Sequence, residues 1–594
     1  MKDIQGPNIV LVMTDDQGYG DLGCTGNPVL RTPHLDAFHD ESLRLRDYHV
    51  GPTCAPTRAG LLTGRYANST GVWHTIGGRS LLRQDERTLA DCLREAGWRT
   101  GIFGKWHLGD VSPYTPLERG FDEAIVHGAG GISQTNDHWG NDYFDDVYRD
   151  NGEMRQFEGY CTDVWFREGL AFIERNRERP FFCMITPNAP HSPWNVETRY
   201  SEPYRGQVSE ERARFYGMIA NIDENFGGLR ARLAELGLED DTLLIFSTDN
   251  GSAGGVSVDE DGHLVDGYNA GMRGMKVWQY EGGHRVPFFL RWPAGGMGGG
   301  RDIDQPGSHI DIKPTLLDLC GVVDEAGPRV HGRSLRPLLE GDGADWPERS
   351  IVTDTQRLVQ PRKWRKSAVM RGSWRLIDGR ELYDLASDPG QREDVAGQHP
   401  GRVEQMRADY EAWWELVSEQ FDRDIPMAIG GPAAQQTLLT GHDWRNEDVT
   451  CIVSQGDVRQ GRDAEGHFEV EILQGGRYEF ELRRWPPETQ HAIDAGIKGD
   501  DVAWEREWVD ERFNYWYTGG VALPLTRATL RIDYADEHPP LDLAGEVEPG
   551  SQGVCFTADL QPGAAHLRAR LLDDEGHARG AYYVQVRLLE AGLA

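Results

Sequence analysis

Positive charge is scarce in this 594-residue chain: 62 Lys and Arg stand against 96 Asp and Glu, a formal net charge of −34. Such a balance argues against general binding to nucleic acid or to an anionic membrane. Long apolar runs are missing too. Ile9–Met13 is too short for a bilayer span or a signal core and lacks a cleavage pattern. The eight cysteines are scattered without tight pairs, which argues against a disulfide framework. These absences lead to the expectation of a reduced, cytoplasmic protein, or a periplasmic or secreted one if a leader was removed. The length is too great for one core, so two or three domains are expected. An anionic substrate would meet an unfavourable global field, and any site for it would need locally concentrated Lys and Arg.

Asn8–Met13 reads as a buried parallel strand that stops abruptly at Thr14-Asp15-Asp16. Thr242–Thr248 ends in the same manner, in Asp249-Asn250-Gly251. Open α/β sheets hold ligands at the carboxyl ends of their strands. If the two strands are neighbours, Asp15, Asp16, Asp249 and Asn250 make a hard-oxygen site suited to Ca²⁺, less readily to Mg²⁺. Zinc is disfavoured because no His or Cys is required. Arg99–Gly104 is a further strand, leading into Lys105-Trp106-His107, where extended alternation would put Lys105 and His107 on one side. Phe181–Ile185 is another, followed by a proline-stiffened loop carrying His191. Ser209 caps a helix whose Tyr216, Ile219, Ile222, Phe226, Leu229 and Leu233 recur at helical spacing. The expectation is an α/β fold with a mostly parallel sheet flanked by helices.

The chemistry centres on Gly51-Pro-Thr-Cys54-Ala-Pro-Thr-Arg58-Ala-Gly-Leu-Leu-Thr-Gly-Arg65. Pro56 favours a helix start, which puts Cys54 at a helix N-terminus where free N–H groups favour negative charge. Arg58, one turn on, can point back to it. Cys54-Ala-Pro-Thr-Arg58 fits the C-x-P-x-R signature of the sulfatases, and Leu61-Leu-Thr-Gly-Arg65 extends it. Gly104-Lys-Trp-His-Leu-Gly109 resembles a second signature of that family, and Arg273–Pro287 resembles the loop that brings a second sulfate-binding lysine, Lys276.

The resemblance implies an alkaline-phosphatase-like fold, a Cys54 oxidised to formylglycine by a formylglycine-generating enzyme, and Ca²⁺ or Mg²⁺ on Asp15, Asp16, Asp249, Asn250 and the residue at 54. It further implies attack by the formylglycine hydrate on a sulfate ester of an aryl compound or a carbohydrate. Arg58 and the metal would activate the hydrate and Asp249 would take its proton. Lys105 and Lys276 would neutralise the sulfuryl oxygens, and His191 would protonate the leaving group. His107 would remove the second hydroxyl proton so that sulfate departs and the aldehyde returns. His74 in Val72–Gly78 and Asn136–Trp139 are specificity candidates, and His284 is assigned no role.

Strand-like pieces after Trp346, the block Glu381–Pro389 and a helix over Val403–Val417 resemble the sulfatases' small antiparallel-sheet subdomain. The expected division is a catalytic domain over 1–345, a small α+β subdomain over 346–425 and an all-β sandwich-like module over 432–594. In the module, Phe468–Ile472 and Tyr478–Leu482 flank Gly475-Gly476 as a hairpin signal. Trp504, Trp508 and Trp516 suggest a sugar platform, with packing or dimer support as the plainer role; homo-oligomerisation stays open. Two other functions fit the motifs: a phosphonate monoester or phosphodiester hydrolase using the same site, and a non-catalytic binder of sulfated glycans.

Overall fold

The computed structural model describes residues 6–343, 346–500 and 516–592. At its centre the strand Asn8–Thr14 is fully buried and lies between Phe181–Thr186 and Thr242–Thr248, parallel to both. An apolar run with no polar alternation can be buried on both faces, and this one is. Ile9, Leu11 and Met13 pack with the helices Cys54–Thr63, Leu89–Ala96 and Ile312–Leu319. Val10 and Val12 pack with Cys161–Asn176 and Glu210–Glu235. Arg99–Lys105 and Glu123–His127 continue the parallel array on one side. Phe288–Arg291 joins antiparallel on the other. Among the described residues the sheet has ten strands, so the mostly parallel α/β expectation holds. The register Thr14↔Thr248 brings the two acidic strand ends side by side.

Two further bodies follow in the chain. Ile351–Asp354, Ser367–Arg371, Trp374–Ile377 and Glu381–Asp384 form an antiparallel sheet. The helix Pro400–Ser418 covers it through Met406, Tyr410 and Trp413. After that come two sheets of a sandwich. One contains Met427–Ile429, Phe468–Ile472, Gly563–Asp573, Leu525–Tyr534 and Leu541–Glu546. The other contains Gln436–Thr440, Tyr583–Ala591, Gly476–Arg483 and Gly553–Leu560.

The expected hairpin at Gly475-Gly476 is therefore not one. Phe468–Ile472 pairs with Gly563–Asp573, whereas Gly476–Arg483 pairs with Gly553–Leu560 and Tyr583–Ala591. Each strand has one apolar face, and Phe468, Val470 and Ile472 join Tyr478, Phe480 and Leu482 in one core shared by the two sheets. The module's first strand, Met427–Ile429, also precedes the expected boundary at 432. Trp504 and Trp508 lie outside the described residues. Trp516 is described, and its carbonyl accepts a hydrogen bond from Arg459 Nε at 3.0 Å.

One glycine fixes how the sheet presents its end. Gly104, just before Lys105, has φ +120°, and a Cβ there would sit 2.1 Å from the Thr186 carbonyl oxygen of the neighbouring strand. Gly104→Ala should strain the backbone by about 1–3 kcal/mol, lower the melting temperature by several degrees and weaken turnover by shifting Lys105. Calorimetry and steady-state kinetics test this; wild-type values for both would show that the strand pair has slack.

Candidate active site

The helix Cys54–Thr63 begins at Cys54 itself, with Thr53 as its N-cap. Pro56 is thus two residues inside the helix rather than at its first position, and the cysteine takes that place. Every residue of the helix is buried. Arg58, one turn on, donates to Asp249 Oδ2 from Nε at 3.1 Å and Nη2 at 2.8 Å, and from Nη1 to the Lys105 carbonyl at 2.9 Å. A single guanidinium thereby ties the helix to the ends of two strands. Asp15, Cys54 and Asp249 place potential ligand atoms within 4.8 Å of one another.

Two lysines complete the charge balance. Lys105 is fully buried with Nζ 2.6 Å from Asp15 Oδ2, and Lys276 Nζ lies 2.6 Å from Asp16 Oδ1. Burial and the neighbouring Asp249 charge push the Asp15 carboxyl well above its ordinary pKa. Burial acts on Asp16 the same way, but Lys276 and His191 outweigh it and hold Asp16 well below the usual carboxylate range. Burial also raises the Cys54 thiol.

The residues fit a divalent cation. Asp15 Oδ1 and Asn250 Oδ1 are buried oxygens without a hydrogen-bond partner. The Asn250 amide nitrogen donates to Asp16 Oδ1 at 2.8 Å, which leaves its oxygen available. Buried oxygens are normally partnered, and a metal would satisfy these.

The proton carriers are held differently. His107 is not in an extended segment as alternation had suggested: the strand ends at Lys105 and His107 has φ +62°. Its Nε2 donates to the Thr75 carbonyl at 3.0 Å, and Nδ1 is buried without a partner. Burial and Lys105 lower its pKa well below the ordinary value, so it is a neutral imidazole with a free lone pair. His191 Nδ1 donates to the Ser192 carbonyl at 2.6 Å, and Nε2 faces Asp16 Oδ2 at 3.8 Å. Burial, opposed by Asp16, lowers its pKa to about 4. The side chains of Lys276 and His191 remain 18% and 15% exposed, whereas Lys105 and Asp15 are at 0%, so the site opens on the Lys276–His191 side.

His74 is buried, and its Nδ1 accepts the Thr75 N–H at 2.7 Å. Burial, Arg357 and His442 lower its pKa to about 3. The Asn136–Trp139 stretch is turned toward the β module. Asn136 donates to Asp110 Oδ2 at 2.8 Å and Asp443 Oδ2 at 3.3 Å, and Trp139 packs edge-on against Trp485. His284 pairs with His49 through their Nδ1 atoms at 3.0 Å. Their neighbour Glu281 receives Arg375 Nε at 2.7 Å, and Arg375 Nη2 reaches Asp47 at 2.8 Å, so this cluster is already an ion network.

The sequence reading missed the module's part in the site. Gly77 N–H donates to the His442 carbonyl at 2.9 Å, and Arg445 Nη1 donates to the Gly77 carbonyl at 2.8 Å. Thr135 N–H donates to the Val453 carbonyl at 3.1 Å, and Gln455 N–H to the Ser133 carbonyl at 3.0 Å. One segment, 440–455, thus braces both loops beside His107: the one carrying Thr75 and the one whose Gly130 abuts the His107 ring. These contacts span more than three hundred residues of chain and left no local mark in the sequence.

A family model described as Sulfatase matches residues 7–322, and one described as N-sulphoglucosamine sulphohydrolase, C-terminal, matches 274–411. Human N-acetylgalactosamine-6-sulfatase is 33% identical over 377 residues, 58% of this chain and 68% of that protein. Mouse steryl-sulfatase is 28% identical over 61% of this chain and 70% of its own. The crystal structure of Ps i-CgsB in complex with k-i-k-neocarrahexaose aligns with TM-score 0.61 at 24% identity, over 70% of this chain and all of that one, a likeness of fold.

Asp249→Ala should remove the carboxylate that compensates buried Arg58, at about 3–5 kcal/mol, and reduce bound divalent metal. Asp249→Asn keeps the shape if the alanine variant fails to fold. Metal analysis beside melting curves tests the ligand set: wild-type metal content in a folded alanine variant would refute it, whereas the asparagine variant, which keeps an amide oxygen, should bind metal more weakly.

Proposed function

The chain belongs to the sulfatase family and is a sulfuric ester hydrolase, and from that premise we propose how its own residues carry the reaction and on what. Asp15, Asp16, Asp249 and Asn250 hold the metal, with Ca²⁺ favoured over Mg²⁺ because the donors are all oxygens drawn from two loops. Cys54 is the residue converted to formylglycine by a maturation enzyme; the converted residue supplies a hydrated aldehyde as nucleophile, and the metal supplies positive charge to the sulfuryl oxygens. The observation that carries this reading is Cys54 at the first position of a buried helix, beside Asp15 and Asp249.

Arg58 fixes Asp249 against the helix, so that this carboxylate can accept the nucleophile's proton. Lys105 and Lys276 rest on Asp15 and Asp16 and are placed to bind sulfuryl oxygens once a cation takes over those carboxylates. His107, neutral and with Nδ1 free, is the base for sulfate release. His191 must act as an imidazolium to protonate the leaving oxygen. A bound sulfate ester brings negative charge that offsets the burial now disfavouring that form.

The substrate is a sulfated carbohydrate. The human relative is named N-acetylgalactosamine-6-sulfatase and the Ps i-CgsB crystal structure is of a complex with k-i-k-neocarrahexaose, which supports this class over aryl sulfates. The cysteines, all unpaired, support a reducing compartment.

Peptide mass spectrometry should find formylglycine at position 54 in protein made with the maturation enzyme. Cys54→Ala should fold normally and lose turnover by on the order of 10⁴-fold or more. Sulfate esters should be preferred to phosphonate monoesters of the same alcohol; the reverse preference would make the chain a phosphonate or phosphodiester hydrolase. Turnover undiminished in Cys54→Ala would end the nucleophile assignment.

A further inference from the structure

In a chain so rich in acid, residues 355–377 contain neither Asp nor Glu, while Arg357, Arg362, Lys363, Arg365 and Lys366 stand within ten positions. The loop joins Ile351–Asp354 to Ser367–Arg371 and runs beside the site. Arg357 N–H donates to the Trp73 carbonyl at 3.3 Å, next to His74, and Trp73 Nε1 donates to the Leu358 carbonyl at 3.1 Å. On its other side Lys366 Nζ lies 5.5 Å from the ring centroid of Trp278, two residues from Lys276. The loop therefore reaches from Trp73, the residue before His74, to Trp278, two positions after Lys276.

Two of these cations are occupied: Lys363 pairs with Glu411, and Arg365 Nη1 donates to the Thr355 carbonyl at 2.5 Å. Arg362 is held through its backbone, whose carbonyl and N–H bond Gln356. Arg357 is exposed and makes no side-chain hydrogen bond or ion pair among the described residues. Lys366 is half-buried, and among the described residues its side chain has the ring contact and no hydrogen bond or ion pair. The nearest carboxylates are engaged elsewhere. Asp354 accepts from Asn68 at 2.9 Å and Gln356 at 2.7 Å, and Asp378 from the Ser367 N–H at 2.8 Å.

The arrangement is unfavourable as it stands. Burial, Arg365 and Arg357 lower the Lys366 ammonium's pKa, and Arg357 and Arg365 both act on His74. Arg357, Trp364 and Lys366 have φ of +43°, +61° and +40°, a conformation that non-glycine residues adopt at a cost and that concentrates at ligand sites. Trp364 is fixed by stacking on Tyr410 at 3.6 Å. The repulsion among these cations is relieved if an anion binds between them.

We propose that Arg357 and Lys366, with Trp278 as an apolar floor, form a second anion subsite at the pocket mouth. It takes a carboxylate or sulfate on a saccharide unit beyond the ester being cleaved. This rests on the sulfatase reading and sharpens it: the substrate is an oligosaccharide with at least two anionic groups. Trp278, partly exposed, offers a face for a sugar ring while the cations take its charge.

The test measures binding to the Cys54→Ala protein, alone and with Arg357→Gln or Lys366→Gln, by titration calorimetry. The probes are an unsaturated chondroitin 6-sulfate disaccharide (uronate plus sulfate), its 4,6-disulfated analogue (uronate plus two sulfates) and N-acetylgalactosamine 6-sulfate, which has one charge. Each glutamine variant should bind both disaccharides about tenfold more weakly and the monosaccharide unchanged, with the difference shrinking as salt rises. Equal loss on both disaccharides assigns the subsite to the uronate carboxylate of the neighbouring unit; loss on the disulfated probe alone would place the second anion on the unit being cleaved and overturn the proposal. Undetectable disaccharide binding, equal weakening of all three probes, or no change in either variant would overturn the proposal. Turnover of 4-nitrophenyl sulfate by the enzyme with Cys54 intact should survive both substitutions. If that enzyme cleaves phosphonate monoesters and no sulfate ester, the reaction assignment fails while the calorimetry still decides the subsite.

Discussion

Three carboxylates packed out of water at the ends of two adjacent strands set the terms for everything around them. Asp15, Asp16 and Asp249 are each 2% exposed or less. Like charges buried together are strongly unfavourable unless cations or protons compensate. Arg58, Lys105 and Lys276 are that compensation, and each comes from a different part of the chain: the nucleophile helix, a third strand end, and the loop before Phe288. These pairings leave an oxygen of Asp15 over, and Asn250, donating its amide nitrogen to Asp16, keeps its own oxygen free for a metal. The lysines that serve the protein by neutralising carboxylates are the ones a sulfate ester would need, so metal binding and substrate binding draw on one set of charges.

How much of this was legible in the sequence depended on whether the signal was local. The strand Asn8–Thr14 and its acidic end could be read because an uninterrupted apolar run followed by Asp-Asp is a pattern within nine residues. That the second acidic end lies beside it rests on two independent strand endings, and the register Thr14↔Thr248 bears it out. His107 was placed by strand alternation, and that reasoning failed: the chain turns into a left-handed conformation after Lys105, so the imidazole is oriented by Thr75 instead. Likewise the glycine pair at 475–476 looked like a hairpin turn. Which strands pair across a sandwich is settled by distant partners such as Gly553–Leu560, which two neighbouring runs do not encode.

The β module is where sequence reasoning had least to offer and the structure adds most. Its segment 440–455 holds the loop that orients His107 and the loop that abuts it mostly through backbone hydrogen bonds, which any side chains can make, with Arg445 Nη1 adding one from a side chain. Such bonds leave no compositional trace. Their position nevertheless ties the module to the His107 ring, whose orientation would matter in the role proposed for it as base. The module belongs to the active site's support, whatever else its outer face does.

The charge asymmetry of the chain has the same logic at larger scale. A net −34 repels sulfated ligands at long range, but screening confines that repulsion to roughly 8 Å at physiological ionic strength. Inside that distance local charge decides. Lys105 and Lys276 are paired to carboxylates and offer little net attraction until a metal displaces them, so they cannot draw a ligand to the entrance. An unpaired Arg357 and Lys366 at the rim can. A surface that repels anions generally, with a short acid-free stretch beside the opening, favours ligands whose charges are spaced to reach both rim and pocket over small anions such as free sulfate. That discrimination matters to an enzyme whose own product is a small anion: the leaving sulfate contacts the pocket cations alone, while a polyanionic substrate holds both sets.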